Sequence, residues 1–439
     1  MLLYILGILV VVVGLAVSIG LHEIGHLLPA KLFGVRVSQY MIGFGPTLFS
    51  RKHGETEYGV KAIPLGGYIS MAGMFPPGKS TNSSRSATTG IFQTLVQDAR
   101  TASADTLVDV DESRAFYKLP VAKRVVIMLG GPFMNLVIAI VMFAILFMGF
   151  GVSQPSTTIG SVSECVLAAT SERQTCESTD PDAPGLAAGL LPGDRLVSMD
   201  GEPVASWAEA TEYIRAAAGD ELSIVVERDG AEVSLIAEPL LTERYVYDDR
   251  GNIVENAEGV ALTEEYGFLG IGSALETVQQ PVTAVLPAVG DNVVAVTNVI
   301  LNLPQRMVEV ANAAFGPDER DPNGPISVVG VGRIAGEITS LDTAPVADRV
   351  ASLVGLIGSL NVALFVFNLV PLMPLDGGHV AGALFEGIRR FFAKLFGKPD
   401  PGPVDTAKII PLTLVVVVLL GAMSAMLIYA DIVKPISIF

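Results

Sequence analysis

The chain has 439 residues, 50% hydrophobic and 17% charged, with a formal net charge of −17 and a mean hydropathy of +0.53. These values exclude an ordinary soluble globule and point to a polytopic membrane protein. So negative a balance also argues against nucleic acid and anionic lipid as principal partners.

The first segment, about Leu2 to Leu28, reads LLYILGILVVVVGLAVSIGLHEIGHLL and carries no charged residue before His22. About 20 residues rising 1.5 Å each cross a bilayer core, so the segment is long enough to span. It lacks the basic start and small-residue cleavage site of a signal peptide and is expected to be retained. On a helix, His22 and His26 stand at i and i+4 and can share a metal ion, while Glu23 can reach a water on it. This is the HExxH spacing of zinc hydrolases. A chance match on a buried helix is the alternative. Ionisable groups at membrane depth cost about 2.5–3.5 kcal/mol each on insertion scales, which argues for a function. Lys31, Arg36, Arg51, Lys52 and Lys61 follow the segment and nothing basic precedes it. The positive-inside rule then puts the N-terminus outside and HEIGH at the cytoplasmic side.

Val35–Met74 is Gly-rich with short β-prone runs, and turn signals at Gly43, Gly45, Pro46, Gly66 and Gly67 predict strands. Pro76–Gly90 is Pro/Ser/Thr-rich and is expected to be disordered. A second span is expected from about Val125 to Val152. Its GGPFMN run (Gly130–Asn135) allows close helix packing, with Asn135 as an interhelical hydrogen bonder. From about Ser153 to Glu276 the chain turns polar and acidic and reads as one small α/β-like domain. Its Cys165 and Cys176 are the only cysteines. Outside the cytoplasm they most simply form a disulfide, adding about 2–3 kcal/mol by closing a short loop.

Val285–Ala314 reads as an amphipathic helix on the outer surface. A third span, about Val350 to Pro371, runs into FNLVPLMPLDGGH (Phe367–His379), where Pro371 and Pro374 loosen the helix around Asp376. Loosened backbone at membrane depth must line a cavity or be buried in protein. An outside start brings Asp376 to the cytoplasmic side, the depth assigned to HEIGH. His379 could substitute as a ligand or support one, and His53 reads as solvated. A fourth span runs from about Ile410 to Tyr429.

HEIGH in the first span together with NLVPLMPLDGG in the third resembles the site-2 protease family of intramembrane zinc metalloproteases. GFGP and PLGGYISMAG are similar to that family's membrane-reentrant β-loop, GGPFMN to its second-span signature, and Ala183–Asp229 to a bacterial PDZ domain. GPISVVGVGRIAG (Gly324–Gly336) is similar to a run before the third span. A single PDZ-like unit with a cytoplasmic insert most resembles the actinobacterial branch. The resemblance implies four transmembrane helices, a reentrant β-loop and an inserted extracytoplasmic PDZ-like domain. The implied division is 1–34, first helix; 35–75, β-loop; 76–118, cytoplasmic insert; 119–152, second helix; 153–278, PDZ-like domain. It continues with 279–349, amphipathic region; 350–385, third helix; 386–409, cytoplasmic loop; and 410–439, fourth helix and tail.

The resemblance further implies His22, His26 and Asp376 as Zn2+ ligands and Glu23 as catalytic acid/base. Asn368, Asn361 and the Gly43–Phe44–Gly45 run are its substrate-binding candidates. Asn361 and Asn368 lie two residues further apart than the family's usual pair, and Met373 interrupts its commoner PxP. The implied job is regulated intramembrane proteolysis in a bacterial plasma membrane. A single-pass protein such as an anti-sigma factor would be trimmed outside and then cut within the bilayer, and the PDZ-like domain would hold a peptide end or exclude substrates with bulky outer domains. A silent scaffold and a metal transporter are the competing readings. The intact HEIGH and LDG pair argues against the first, and the absence of a visible inverted repeat against the second.

Overall fold

The computed structural model describes residues 1–76, 91–108, 111–167, 171, 173, 175–246, 253–254, 256, 260–317, 319–322 and 324–436. They form two compact units, Met1–Phe150 with Pro281–Phe439, and Gly151–Gln280. The run expected to be disordered, 76–90, lies outside the described residues from 77 onward.

Helix α1 (Leu2–Leu32) is the uncharged first segment. It stops at Gly34, whose φ of +82° is open to glycine at little cost. Strands β1 (Val37–His53) and β2 (Thr56–Met71) follow. Val37 pairs with Met71 and His53 with Thr56, and residues 39–42 are flanked by both 57–60 and 67–70. The ribbon therefore folds on itself and leaves 63–71 at an edge. Positive φ at Gly43 (+91°) and Gly45 (+84°) permits that fold. Helix α2 (Ile91–Asp105) precedes α3 (Val121–Ala144), which loosens into a π-helical turn over Ile145–Phe150.

The second unit holds β3 (Val152–Val162), α4 (Pro184–Ala187), β4 (Arg195–Met199), β5 (Glu202–Pro203), α5 (Trp207–Ala216), β6 (Leu222–Arg228), β7 (Ala231–Ala237), β8 (Leu240–Tyr245), β9 (Thr263–Phe268) and β10 (Ile271–Val278). Its sheet runs β10-β3-β4-β6-β7 with β5 on β4, and β8 pairs with β9 separately. Alternate positions of β4 and β6 turn Leu196, Leu222, Ile224 and Val226 into a core with Ile159, Leu190 and Leu269. Helix α5 starts at Ser206, which caps the Glu209 N–H while Glu209 accepts from Ala205. Cys165 and Cys176 are joined as a disulfide.

The first unit resumes with α6 (Val285–Leu301), α7 (Leu303–Phe315), α8 (Val328–Ser340), α9 (Val346–Asn368), α10 (Asp376–Leu395) and α11 (Ile410–Val433). The stretch expected as one amphipathic surface helix is two. The chain breaks at Asn302, and Pro304 starts the next helix in its first turn. Helix α6 is apolar and lays Val285 and Val289 against Ala139, Phe143 and Val362 of α3 and α9. Among the described residues, five helices are long and apolar enough to cross a membrane, one more than expected.

Glycine sets the packing of α1 against α3. A Cβ on Gly25 would fall 2.2 Å from the Gly130 carbonyl oxygen, and one on Gly130 2.0 Å from that of Gly25. Helix α9 joins them through Asn361, which donates to Ser18 Oγ at 2.9 Å, and through Gly358 against Met142 and Phe143. Helix α8 lies on the first turns of α1, where Gly7 and Gly336 admit the Ala335 carbonyl and the Tyr4 ring.

Candidate metal centre

Helix periodicity puts His22 and His26 on one face of α1, and their Nε2 atoms lie 3.2 Å apart. Asp376 opens α10, and its Oδ2 sits 3.3 Å from each of those nitrogens. The seven residues before it turn back beneath α9 instead of continuing it. That path needs DGG, because a Cβ on Gly377 would lie 2.4 Å from the Leu369 and Val370 carbonyl oxygens. On Gly378 it would lie 2.6 Å from the Met373 nitrogen.

The donor set fits a small tetrahedral cation. Zinc bonds of about 2.0–2.2 Å at tetrahedral angles place neighbouring donors about 3.3–3.6 Å apart, close to the edges of this triangle. The buried Asp376 Oδ2 accepts no hydrogen bond among the described residues, as a ligand atom should. It is also the one cluster of three or more His, Cys, Asp or Glu donors among the described residues that could hold a metal ion. Three protein donors leave a fourth position open, the arrangement of catalytic zinc sites. His379, one turn along α10, stands outside this group.

Helix α3 supports the triangle from behind. The His26 Nδ1–H donates to the Ile127 carbonyl oxygen at 2.7 Å, which leaves the Nε2 lone pair toward Asp376. Asn135, fully buried, places its amide nitrogen 3.0 Å from His22 Nδ1. Gly131 clears the space in front, since a Cβ there would lie 2.2 Å from His26 Nε2 and 2.7 Å from His22 Nε2. The sequence marked GGPFMN only as a packing run. The signal that could have singled it out is the i, i+4 spacing of Gly131 and Asn135, which matches that of the two histidines.

Glu23 is 8% exposed and directly follows His22 on α1. The edge segment of β2 covers it, with the Gly67 Cα so close that a Cβ would fall 2.9 Å from Glu23 Cγ. Phe44 stacks on Tyr68 with centroids 6.4 Å apart and shields Gly66, so the Gly43–Gly45 run lies against this same edge. Asn368 ends α9 and donates back to the Leu364 carbonyl oxygen at 3.0 Å. Asn361 is 1% exposed and spends its amide N–H groups on Ser18 and the Ile357 carbonyl. It sits between α1 and α9. Cys165 and Cys176 belong to the second unit.

The chain matches peptidase family M50 over residues 10–398. It is 34% identical to the zinc metalloprotease Rip1 of Mycobacterium tuberculosis over 445 residues, covering 100% of both chains. The Rip1 of Mycolicibacterium smegmatis is 32% identical over 99% of each. The metalloprotease MmpA of Caulobacter vibrioides is 29% identical over 86% of this chain and 85% of its own. The chain belongs to peptidase family M50. It is thus a multi-pass membrane peptidase of the site-2 protease type, and the resemblance drawn from HEIGH and LDGG holds over nearly the whole length.

Proposed function

We propose that the protein is a zinc metalloendopeptidase that cuts a peptide bond within the transmembrane segment of single-pass membrane proteins. The observation that carries this is the triangle of His22 Nε2, His26 Nε2 and Asp376 Oδ2 at 3.2–3.3 Å, set on helices long and apolar enough to cross a membrane. These three residues hold the metal. Bound zinc supplies Lewis acidity toward the scissile carbonyl and makes water a competent nucleophile near neutral pH. Glu23, buried beside the triangle, takes the proton of that water on its carboxylate and returns it to the leaving nitrogen.

A substrate helix must unwind, and its freed backbone groups need partners in lipid. The 63–71 edge beside Glu23 offers them as an added strand, with Gly43, Phe44 and Gly45 behind it. The side-chain amide of Asn368, at the end of α9, is assigned to the substrate strand or the developing oxyanion. The 35–75 ribbon is read as a membrane-reentrant β-loop and the second unit as a PDZ-like domain outside the cytoplasm, able to hold a peptide end or exclude bulky substrates. With α1, α3, α9 and α11 as the crossings and α6 not crossing, so that α9 enters from outside and Asp376 meets His22 and His26, the termini lie outside and the metal toward the cytoplasm. The substrate class is a single-pass protein already trimmed outside, of which an anti-sigma factor is the type.

Purified wild type and Glu23→Gln are compared on a single-pass substrate lacking its outer domain, with zinc measured on the same samples. Glu23→Gln is expected to keep its zinc and lose at least about 100-fold in cleavage rate. Cleavage at the wild-type rate by that variant would overturn the assignment.

A further inference from the structure

We propose that Asn135 is a positioning residue that selects the tautomer of His22, its amide oxygen accepting the Nδ1–H so that Nε2 presents a lone pair to the metal. The inference rests on the reading of His22 as a ligand. The two histidines of the triangle are served differently. His26 has a backbone carbonyl, that of Ile127, at 2.7 Å from Nδ1, and a carbonyl can only accept. That bond fixes the proton on Nδ1 and frees Nε2. His22 instead faces the side chain of Asn135, which can either donate or accept.

In the structure, the Asn135 amide nitrogen lies 3.0 Å from His22 Nδ1, while its amide oxygen is buried with no hydrogen-bond partner among the described residues. An amide N–H aimed at Nδ1 requires a lone pair there and puts the imidazole proton on Nε2. That proton then points into the triangle, 3.2 Å from His26 Nε2 and 3.3 Å from Asp376 Oδ2. Metal binding needs the other tautomer.

Half a turn about the Asn135 Cβ–Cγ bond supplies it without moving any neighbour, because the two ends of the amide occupy nearly equal volumes. The turn brings the orphan oxygen onto Nδ1–H as an acceptor and turns the amide nitrogen to the place the oxygen held. Asn135 can make this exchange because it is 0% exposed, so no water competes for either orientation. Asn135 therefore has an orientation that supports His22 as an Nε2 ligand.

Zinc affinity, read by chelator competition on the purified full-length protein, tests this with Asn135→Leu, Asn135→Asp and His22→Ala. Asn135→Leu removes the acceptor at similar volume and is expected to weaken zinc about 10–100-fold, the usual effect of losing such a partner. Asn135→Asp keeps an acceptor and cannot donate, so its affinity is expected within a few-fold of wild type or tighter. Thermal unfolding of the metal-free proteins separates this from packing, since a structural role alone would lower both variants together. Equal zinc affinity of Leu, Asp and wild type overturns the proposal, as does equal weakening of Leu and Asp. Wild-type affinity in His22→Ala would instead overturn the ligand reading beneath it.

Discussion

Helices α1 and α11 are nearly alike in apolarity, with mean hydropathy of 2.9 and 2.5 over their most apolar windows. They pack in opposite ways. Buried positions run the whole length of α1, from Gly7 through Ser18, Gly20, Glu23, Gly25 and His26 to Ala30. Those of α11 are Leu427, Ala430 and Asp431, all in its last turns. Lipid and Leu are equally apolar, so apolar surface fixes that a helix crosses but not what it meets. Small residues and buried polar groups decide that, and α1 carries both where α11 carries few. His22 and His26, two of the three proposed metal donors, sit on the helix that is fixed on most sides.

Two glycines give the sharpest way to break this comparison. Gly131 of α3 faces the triangle, whereas Gly421 of α11 has nothing within 4 Å of its would-be Cβ. In Gly131→Ala the new methyl lies 2.2 Å from His26 Nε2. That ring cannot swing aside without losing its bond to the Ile127 carbonyl. Zinc affinity is expected to fall at least about 100-fold, beyond the usual loss of one supporting partner. Gly421→Ala should leave zinc binding and cleavage unchanged, and helix propensity favours alanine by up to about 1 kcal/mol. Equal effects at the two sites would mean that α11 touches the centre after all.

The next effect concerns how α11 is held. Asp431 forms an ion pair with Arg320, both side chains 3% exposed, and accepts from the Ser327 backbone N–H at 2.7 Å. Asp431→Ala strands a buried guanidinium and an N–H of the turn that starts α8. Removing one partner of a buried pair costs about 3–5 kcal/mol, which should appear as a lowered unfolding temperature in detergent. Leu419, 65% exposed on the same helix, is the control, and Leu419→Ala is expected within about 0.5 kcal/mol of wild type. A small loss for Asp431→Ala would show α11 to be held by lipid contact alone.

Much of the centre was legible because its chemistry is local. HEIGH carries its geometry in an i, i+4 spacing, and the two prolines around Asp376 announce a broken helix at membrane depth. What escaped the sequence depends on how helices cross. Nothing in the period of α3 says that the Ile127 carbonyl or the Asn135 amide will face an imidazole, since that follows from the closeness of Gly25 and Gly130. Asn361, in a familiar motif, is taken up by Ser18 across the α1–α9 contact. The break at Asn302 was hidden for another reason. Arg306 and Glu309 belong to α7 alone, but read over 285–314 as one helix they made the apolar α6 look amphipathic.

The smallest expected effect lies in the second unit, where a buried charge is satisfied within a water-facing type of core. Asp194, 1% exposed, takes both oxygens to the Arg228 guanidinium at 2.7 Å and accepts from the Leu191 N–H at 2.8 Å. The Arg228 guanidinium first, and the Leu191 N–H with it, hold this carboxyl below its usual range. In the unfolded chain it titrates near its ordinary value, about 4. A lowered folded-state value means that the unfolded chain binds more protons in that range, so stability rises with pH through it. The contribution is therefore complete above about pH 5 and is lost as the pH falls through 4 toward the folded value. Hydrogen exchange of the β4 and β6 amides in the full-length protein should stay flat from pH 7 to about 5, after correction for intrinsic rates, and then accelerate. Asp194→Asn should remove that acid-dependent step and lower protection throughout. An unchanged step in the variant would assign the acid sensitivity to another carboxylate, and would leave Leu196, Leu222 and Ile224 to hold the strands without the pair.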